Sequence, residues 1–235
     1  MNQSKKTVKM VLAGVMAALI IVMASVPFLG YIPLGVINAT IIHIPVIIGA
    51  ILLGPKYGAF LGFVFGMTSI VKNTFSPNLT SFVFSPFYQM GEYGGNFYSV
   101  IISLVPRILI GVVSYYVYQG LKKLLSGHRG DTRQETAGKG SDMRSNGKSN
   151  KRAETIALAA AGVAGALTNT LLVMHLIYFF FGESYLIAGG KVYETVYGAI
   201  LAIIIGAGVP EAIVSGILTA AICKVMLRFM KRLEG

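Results

Sequence analysis

Residues 97–121 read FYSVIISLVPRILIGVVSYYVYQGL, a predominantly apolar stretch that contains one charge, Arg107. As a helix, this stretch is long enough to cross the roughly 30 Å hydrocarbon core of a bilayer. An arginine at the centre of such a helix costs roughly 2.5 to 3.5 kcal/mol on insertion scales, so its guanidinium should face a protein interior, a partner carboxylate or a water-filled cavity. The stretch therefore predicts a membrane-spanning helix whose arginine points away from lipid.

The rest of the chain has the same apolar character. Of its 235 residues 54% are hydrophobic and only 12% are charged, and the mean hydropathy is +0.70. A water-soluble domain of this composition would expose large apolar patches. We therefore predict an all-α membrane protein with six transmembrane helices, at residues 8–28, 37–54, 57–71, 97–121, 156–181 and 196–226.

The positions of the basic residues predict the orientation of these helices. With the N-terminus inside, only Lys72 and Lys191 of the 20 lysines and arginines lie outside, and Arg107 lies within the membrane. Lysine and arginine collect on the cytoplasmic side of membrane proteins, so both termini are predicted to be cytoplasmic. The net charge of +11 is then an orientation signal. We expect no nucleic-acid partner, because the basic residues are spread over loops without interleaved aromatic residues.

The chain forms one membrane domain in two parts. Residues 1–125 hold helices 1 to 4, residues 126–152 form a polar cytoplasmic linker without apolar periodicity, and residues 153–235 hold helices 5 and 6. The outer loops at 30–39 and 73–96 mix Pro, Gly and Asn with several aromatic residues. We predict that these loops fold back over a ligand pocket.

Motifs that would indicate nucleotide hydrolysis or catalysis do not fit the sequence. The strings GGK (189–191) and GKS (147–149) lack the first glycine of a phosphate-binding loop, since Tyr185 and Asp142 occupy that position. Cys223 is the only cysteine, which excludes a cysteine cluster for zinc. We therefore predict no enzyme activity, no cofactor and no metal site, and any ATP-driven engine must be another protein.

Polar residues at membrane depth are few, and they are the candidate ligand-binding residues: Asn38, His43, Asn73, Arg107, Asn169, His175 and Glu211. Pro106 and Pro210 precede the two charged residues, so each helix has a local break that can free a carbonyl. Arg107 has two interpretations, a structural ion pair with Glu211 or a two-pronged contact to a ligand carboxylate or phosphate, and the two can coexist. The histidines have no Cys, Asp or Glu at ligand spacing, so we predict that they form hydrogen bonds rather than bind metal.

Small residues recur at four-residue spacing on predicted helices. Helix 1 has Ala13 and Ala17, helix 3 has Gly58, Gly62 and Gly66, and helix 5 begins with a run rich in Ala and Gly. This spacing lets two membrane helices approach closely. Each stripe therefore has two interpretations, packing within the chain or a docking face for another subunit.

Together these features resemble the substrate-binding S component of an energy-coupling factor (ECF) transporter. The resemblance rests on six predicted helices, on AGVMA (13–17), on HIPVIIGAILLGPKYGAFLGFVFG (43–66) and on VPRILIG (105–111), and it covers almost the whole chain apart from the linker. It implies a multi-pass protein of the prokaryotic plasma membrane that captures a water-soluble vitamin and docks on a transmembrane coupling subunit with two cytoplasmic ATPases. It also implies that Ala13 and Ala17 contact the coupling subunit, and that the pocket lies toward the outer side between helices 4 to 6.

Within the family, NATIIHIPVIIGAILLGP (38–55) and NTFSPNLTSFVFSP (73–86) are most similar to pantothenate-type members. Arg107 suits the carboxylate of such a ligand. Riboflavin, folate, pyridoxine-related compounds and niacin stay open as alternative vitamins. Two other functions also stay open: a membrane-embedded enzyme that acts on a lipid, and a stand-alone carrier or channel.

Overall fold

The computed structural model describes residues 3–26, 29–34, 37–127, 142–188 and 195–233. The helices in these residues are α1 (Gln3–Ser25), α2 (His43–Leu53), α3 (Pro55–Phe75), α4 (Phe97–Gly127), α5 (Asp142–Ala188), α6 (Val196–Ile203) and α7 (Val209–Leu233). Two antiparallel hairpins join β1 (Tyr31–Leu34) to β2 (Ile37–Thr40) and β3 (Gln89–Met90) to β4 (Tyr93–Gly94). A 3₁₀ turn lies at Ser81–Val83 and a π-helical turn at Ile204–Gly208.

Within the described residues, four helical segments are long and apolar enough to cross a membrane: Lys6–Ser25, Phe97–Leu125, Arg152–Tyr185 and Val196–Phe229. The last segment joins α6, the π-helical turn and α7 into one continuous helix. The prediction of an all-α, multi-pass membrane protein is therefore confirmed at that level.

The predicted second helix, at 37–54, is shorter than the sequence suggests. Residues 37–40 form strand β2, in which Thr40 pairs with Tyr31, and the helix begins only at His43. Proline is tolerated in the first turn of a helix but not further in, so Pro45 requires the helix to begin close before it. With 11 residues, all of them buried, α2 is about 16 Å long and is enclosed by protein rather than lipid.

The polar linker predicted at 126–152 is described only in part. Residues 128–141 lie outside the described residues. Residues 142–152 belong to α5, which begins at Asp142 rather than at the start of the apolar segment. This helix therefore extends well beyond its membrane-spanning part.

Glycines bring α3 and α4 into direct backbone contact. A Cβ on Gly62 would lie 2.1 Å from the Arg107 carbonyl oxygen, and a Cβ on Gly111 would lie 2.4 Å from the Gly58 carbonyl carbon. The start of α5 packs on α7 in the same way, since a Cβ on Gly162 would lie 2.6 Å from a backbone oxygen of α7. The small-residue stripes of α3 and α5 therefore serve packing within the chain.

The apolar core consists of two clusters at different levels of the helix bundle. One surrounds α2 and includes Ile47 and Ile110. The other includes Phe82, from residues 76–96, together with Ile102 and Ile177. Arg107 lies between Ile102 and Ile110 on α4, so the two clusters are separated at the level of this arginine. The buried polar side chains described next gather at that level.

Candidate ligand-binding site

An open cavity lies between the two apolar clusters. Its empty space, including the solvent at its open side, is about 710 Å³. Its polar lining consists of Thr40, Ser69, Asn73, Asn78, Thr80, Arg107, Asn169, Thr170, Tyr185 and Glu211. Its apolar lining consists of Phe84, Val173, Met174, Ile203, Ala207 and Gly208. A concave site with apolar walls and a limited set of converging polar groups is the usual form of a small-molecule site.

Arg107 supplies the positive charge of the cavity and is held in place by its own helix. Its side chain is only 5% exposed, and Nη1 donates a hydrogen bond to the Ile102 carbonyl. Pro106 has no N–H, so this carbonyl lacks its usual donor four residues further along the helix. The guanidinium carbon lies 5.7 Å from the ring centroid of Phe65 and 5.3 Å from that of Phe84. Aromatic faces attract a cation at these distances, so the guanidinium is stabilised at the edge of the cavity.

Glu211 attaches the β1–β2 hairpin to α7. Its Oε1 accepts hydrogen bonds from the Thr40 backbone nitrogen at 2.9 Å and from Thr40 Oγ1 at 2.8 Å. The Nδ1 atom of His43 lies 3.5 Å from the same oxygen. Arg107 lines the same cavity as Glu211. A ligand in the cavity can therefore meet an arginine on α4 and a carboxyl on α7.

The π-helical turn gives α7 its approach to the cavity. Ala207 and Gly208 in this turn line the cavity, and Glu211 follows it within one turn. A Cβ on Gly208 would lie 2.7 Å from Thr170 Cγ2, so the glycine lets the turn pack directly on α5. Single π-helical turns inside α-helices are frequent at functional sites.

Hydrogen bonds tie residues 76–96, which we call the aromatic loop, to the helices on either side. Asn73 donates through Nδ2 to the Ser69 carbonyl at 2.8 Å and accepts through Oδ1 from Ser81 Oγ at 2.7 Å. On the α4 side, Ser99 and Ser103 each donate through Oγ at 2.7 Å, to the carbonyls of Phe82 and Phe84 respectively. The aromatic loop is thus fixed to α3 and α4, and its residues Asn78, Thr80 and Phe84 line the cavity. Asn73 helps to position this loop.

Asn169 is buried in the wall contributed by α5. Its side chain is 7% exposed and lines the cavity. Its Oδ1 atom has no hydrogen-bond partner among the described residues. Thr170 beside it is also 7% exposed and lines the cavity. These two residues face Arg107 from a different helix.

The remaining candidate residues lie elsewhere. His43 is fully buried behind Glu211 and does not line the cavity. His175 is exposed, and its Nδ1 lies 2.7 Å from the Leu171 carbonyl oxygen within the same helix. The side chain of Asn38 lies outside the described residues. Of the predicted set, the cavity therefore brings together Asn73, Arg107, Asn169 and Glu211.

Several cavity residues were not predicted from the sequence. Thr40 lies at the end of β2, and Asn78 and Thr80 lie in the aromatic loop. Uncharged hydroxyl and amide residues are common in loops and at helix ends, so their type alone indicates no function. The location of Asn78 and Thr80 in a predicted pocket loop was the only available signal.

Ala13 and Ala17 face the interior of this chain. Ala13 is 4% exposed and belongs to the apolar cluster around α2, and Ala17 packs against that cluster. Gly14 and Ala18 are exposed and lie on the neighbouring face of α1, about 100° away. On α1, Ala13 is therefore buried and Ala17 half-buried, whereas Gly14 and Ala18 are exposed.

A family comparison identifies the class of protein that this fold and cavity represent. The model of the family described as "ECF transporter, substrate-specific component" matches residues 8–225. The chain belongs to this family. It is a transporter component of the prokaryotic plasma membrane rather than an enzyme, and the resemblance seen in the sequence is confirmed.

Two relatives have more specific names. The chain is 31% identical over 220 residues to the pantothenic acid transporter PanT of Lactococcus lactis subsp. cremoris, with 91% of this chain and 96% of the relative covered. It is 32% identical over 115 residues to the pantothenate transporter PanT of Leuconostoc mesenteroides subsp. mesenteroides, with 47% of this chain and 50% of the relative covered. The first similarity spans the α1 to α7 bundle almost completely.

Proposed function

We propose that this chain is the pantothenate-binding subunit of an ATP-driven ECF importer. The observation that carries this proposal is the cavity, which places one arginine among hydroxyl, amide and apolar groups. Pantothenate has a carboxylate at one end and a central amide. It also has two hydroxyls, one on each of the two carbons that flank a dimethyl-substituted carbon. The names of the two relatives support the same ligand.

The cavity offers a suitable surface to each part of this ligand. Arg107 presents a planar set of N–H donors that matches a carboxylate. Val173, Met174 and Ile203 form an apolar wall on which the dimethyl carbon can pack, at about 0.8 kcal/mol per buried methylene-sized group. The arginine and the apolar wall together select an anion with an apolar body.

In this proposal the chain crosses the membrane six times, with both termini in the cytoplasm. The four long apolar segments supply four crossings. The second and third are made by the β1–β2 hairpin with α2, and by α3, whose 21 residues give about 31 Å. The concentration of basic residues on one side supports this orientation. The cavity then opens toward the outside.

The proposed partners are a transmembrane coupling subunit and two cytoplasmic ATPases. The chain has no phosphate-binding loop of its own, so the energy must come from other subunits. Family membership supports a partnership with an ECF module. Ligand binding itself is then expected to need no ATP.

We assign docking to the exposed side of α1. A Cβ on Gly14 would meet no described atom within 4 Å, and Ala18 is exposed one turn further along. Gly14→Trp and Ala18→Trp should leave pantothenate binding unchanged and reduce uptake by cells to background, because a bulky residue prevents close helix approach. Uptake of labelled pantothenate and binding by purified protein measure the two effects. Ile217→Trp, on the exposed side of α7, is the matched control and should leave uptake intact; wild-type uptake by both α1 variants would contradict this assignment.

Thr40→Val should weaken pantothenate binding by roughly 10- to 100-fold. The substitution keeps the shape of the side chain but removes the hydroxyl donor to Glu211, and a lost hydrogen bond to a carboxyl costs roughly 1.5 to 3 kcal/mol. The hairpin then keeps only its backbone hydrogen bond to Glu211, so it should open more readily and the ligand should dissociate faster, which stopped-flow measurement detects. Thr40→Ser retains the hydroxyl and should bind like wild type. If pantothenate dissociated from Thr40→Val at the wild-type rate, the hydroxyl contact between Thr40 and Glu211 would not hold the hairpin.

Calorimetry on the purified protein tests the proposed function. Pantothenate should bind tightly without ATP, whereas riboflavin, folate, pyridoxine and niacin should bind weakly or not at all. Tight binding of another vitamin by folded protein, with none of pantothenate, would overturn the ligand assignment. Sustained pantothenate uptake into liposomes that contain only this chain would instead indicate a stand-alone carrier.

A further inference from the structure

We infer that Asn169 selects ligands that carry a hydroxyl group next to their branched apolar carbon. This inference rests on the proposed pantothenate-binding function, and it assigns one particular contact within the cavity. The established family membership does not specify which ligand group each cavity residue recognises.

The amide oxygen of Asn169 is buried and available. The side chain is 7% exposed and lines the cavity, and Oδ1 has no hydrogen-bond partner in the described part of the chain. Asn73, which lines the same cavity, differs because both ends of its amide bond protein groups, the Ser69 carbonyl and the Ser81 hydroxyl. A buried polar atom normally has a hydrogen-bond partner. The partner of Asn169 Oδ1 is therefore expected to come from the ligand.

The chemistry of the cavity identifies the type of partner. Oδ1 accepts hydrogen bonds, so it requires an O–H or N–H group. The ligand carboxylate cannot fill this role, because it has no proton to donate at neutral pH and is matched by the donors of Arg107. Pantothenate has three suitable donors, its amide N–H and its two hydroxyls.

The position of Asn169 favours a hydroxyl over the amide. Val173 lies four residues further along α5, hence on the same side of the helix, and it also lines the cavity. If the dimethyl carbon of pantothenate packs on Val173, the nearest ligand donors are the two hydroxyls, because each is carried by a carbon bonded to the dimethyl carbon. Asn169 is then beside one of these hydroxyls, while Arg107 contacts the carboxylate.

The test compares binding of pantothenate with that of two synthetic N-acyl-β-alanines, each lacking one of the two hydroxyls. Wild type should bind one of these analogues at least roughly tenfold more weakly than pantothenate. Asn169→Ala should show a similar loss for pantothenate and almost no further loss for that analogue, so the two changes are not additive. Asn73→Ala is the matched control, and it should weaken binding of all three ligands by the same factor.

Asn169→Leu separates recognition from folding. Because Oδ1 is unpaired within the protein, an apolar residue of similar size should keep or raise the melting temperature of the ligand-free protein. The inference is overturned if the Asn169 variants bind pantothenate like wild type, or if neither variant folds. It is also overturned if their affinity for pantothenate and for both analogues falls by the same factor. If wild type binds no pantothenate, the proposed function fails and the inference fails with it; if wild type binds pantothenate but shows no coupling to Asn169, only the inference fails.

Discussion

Arg107→Ala should weaken pantothenate binding by a factor of roughly 30 or more, the largest loss expected from any single side chain of the cavity. The ligand carboxylate would enter a cavity with apolar walls and lose its charged, two-pronged partner. Loss of one member of a buried charge pair costs roughly 2 to 5 kcal/mol, much of it from leaving the other member unpaired. Isothermal titration calorimetry on purified protein measures the change directly.

The neutral analogue pantothenol, which has an alcohol in place of the carboxylate, shows whether Arg107 acts on that group. Wild type should bind pantothenol much more weakly than pantothenate, and Arg107→Ala should bind the two about equally. Arg107→Lys keeps the charge but loses the planar set of donors, so its affinity should be intermediate. Arg228→Ala, on an exposed position of α7, should bind like wild type. If Arg107→Ala weakened the binding of pantothenate and pantothenol by the same factor, the role of Arg107 would be structural.

Gly62→Ala should abolish measurable pantothenate binding and lower the melting temperature of the protein in detergent. Its Cβ would lie 2.1 Å from the carbonyl oxygen of Arg107 and 2.8 Å from the Cα of Ile108. Both atoms belong to the backbone, so a rotamer change cannot relieve the clash and α3 must move away from α4. Such overpacking costs typically 1 to 3 kcal/mol, and it also displaces the residue that receives the carboxylate. Thermal unfolding and calorimetry report the two consequences separately.

Gly120→Ala is the control for this prediction. Gly120 lies on α4, and a Cβ there would have no described atom within 4 Å. In the interior of a helix the change from glycine to alanine is otherwise favourable by roughly 1 kcal/mol, so this variant should be as stable as wild type or slightly more stable. Wild-type binding by Gly62→Ala would show that the contact between α3 and α4 does not set the position of Arg107.

The helices and charged site residues could be predicted from the sequence because the signals are local. An apolar run of about 20 residues has few alternatives to a membrane helix, and a charge within it demands a protein or ligand partner. Arg107 and Glu211 were found in this way, and both line the cavity. The start of α2 could not be read equally well, because strand β2 is defined by its pairing with β1 and not by a local sequence pattern.

Hydroxyl residues were harder to assign than charges. A threonine in a membrane helix can bond its own backbone, as Thr74 does to the Ile70 carbonyl and Thr168 to the Ala164 carbonyl. Residue type therefore does not reveal that Thr40 bonds Glu211, a residue far away in the sequence. Only the three-dimensional structure brings these two together.

The docking face shows a different limit of sequence reasoning. Small residues occupy two neighbouring faces of α1, with Ala13 on one face and Gly14 and Ala18 on the next. Spacing alone cannot say which side is covered by the chain itself. The structure places Ala13 in the core, and the exposed side becomes the proposed contact.

The close helix contacts around the cavity fix the distances between its walls, which favours a ligand of one length. Gly62 fixes α3 against the backbone of Arg107, and a Cβ on Gly165, one turn before Asn169, would lie 2.3 Å from Ser114 Oγ on α4. The separation between Arg107 and Asn169 is therefore set before any ligand arrives. If the ligand contacts both residues as proposed, a homologue of pantothenate with one more methylene in its β-alanine part must bend to do so, and we expect it to bind more weakly. One methylene alone changes selectivity by roughly 10- to 200-fold in a close-fitting pocket. The cavity is therefore expected to discriminate between ligands by the distance between their two ends.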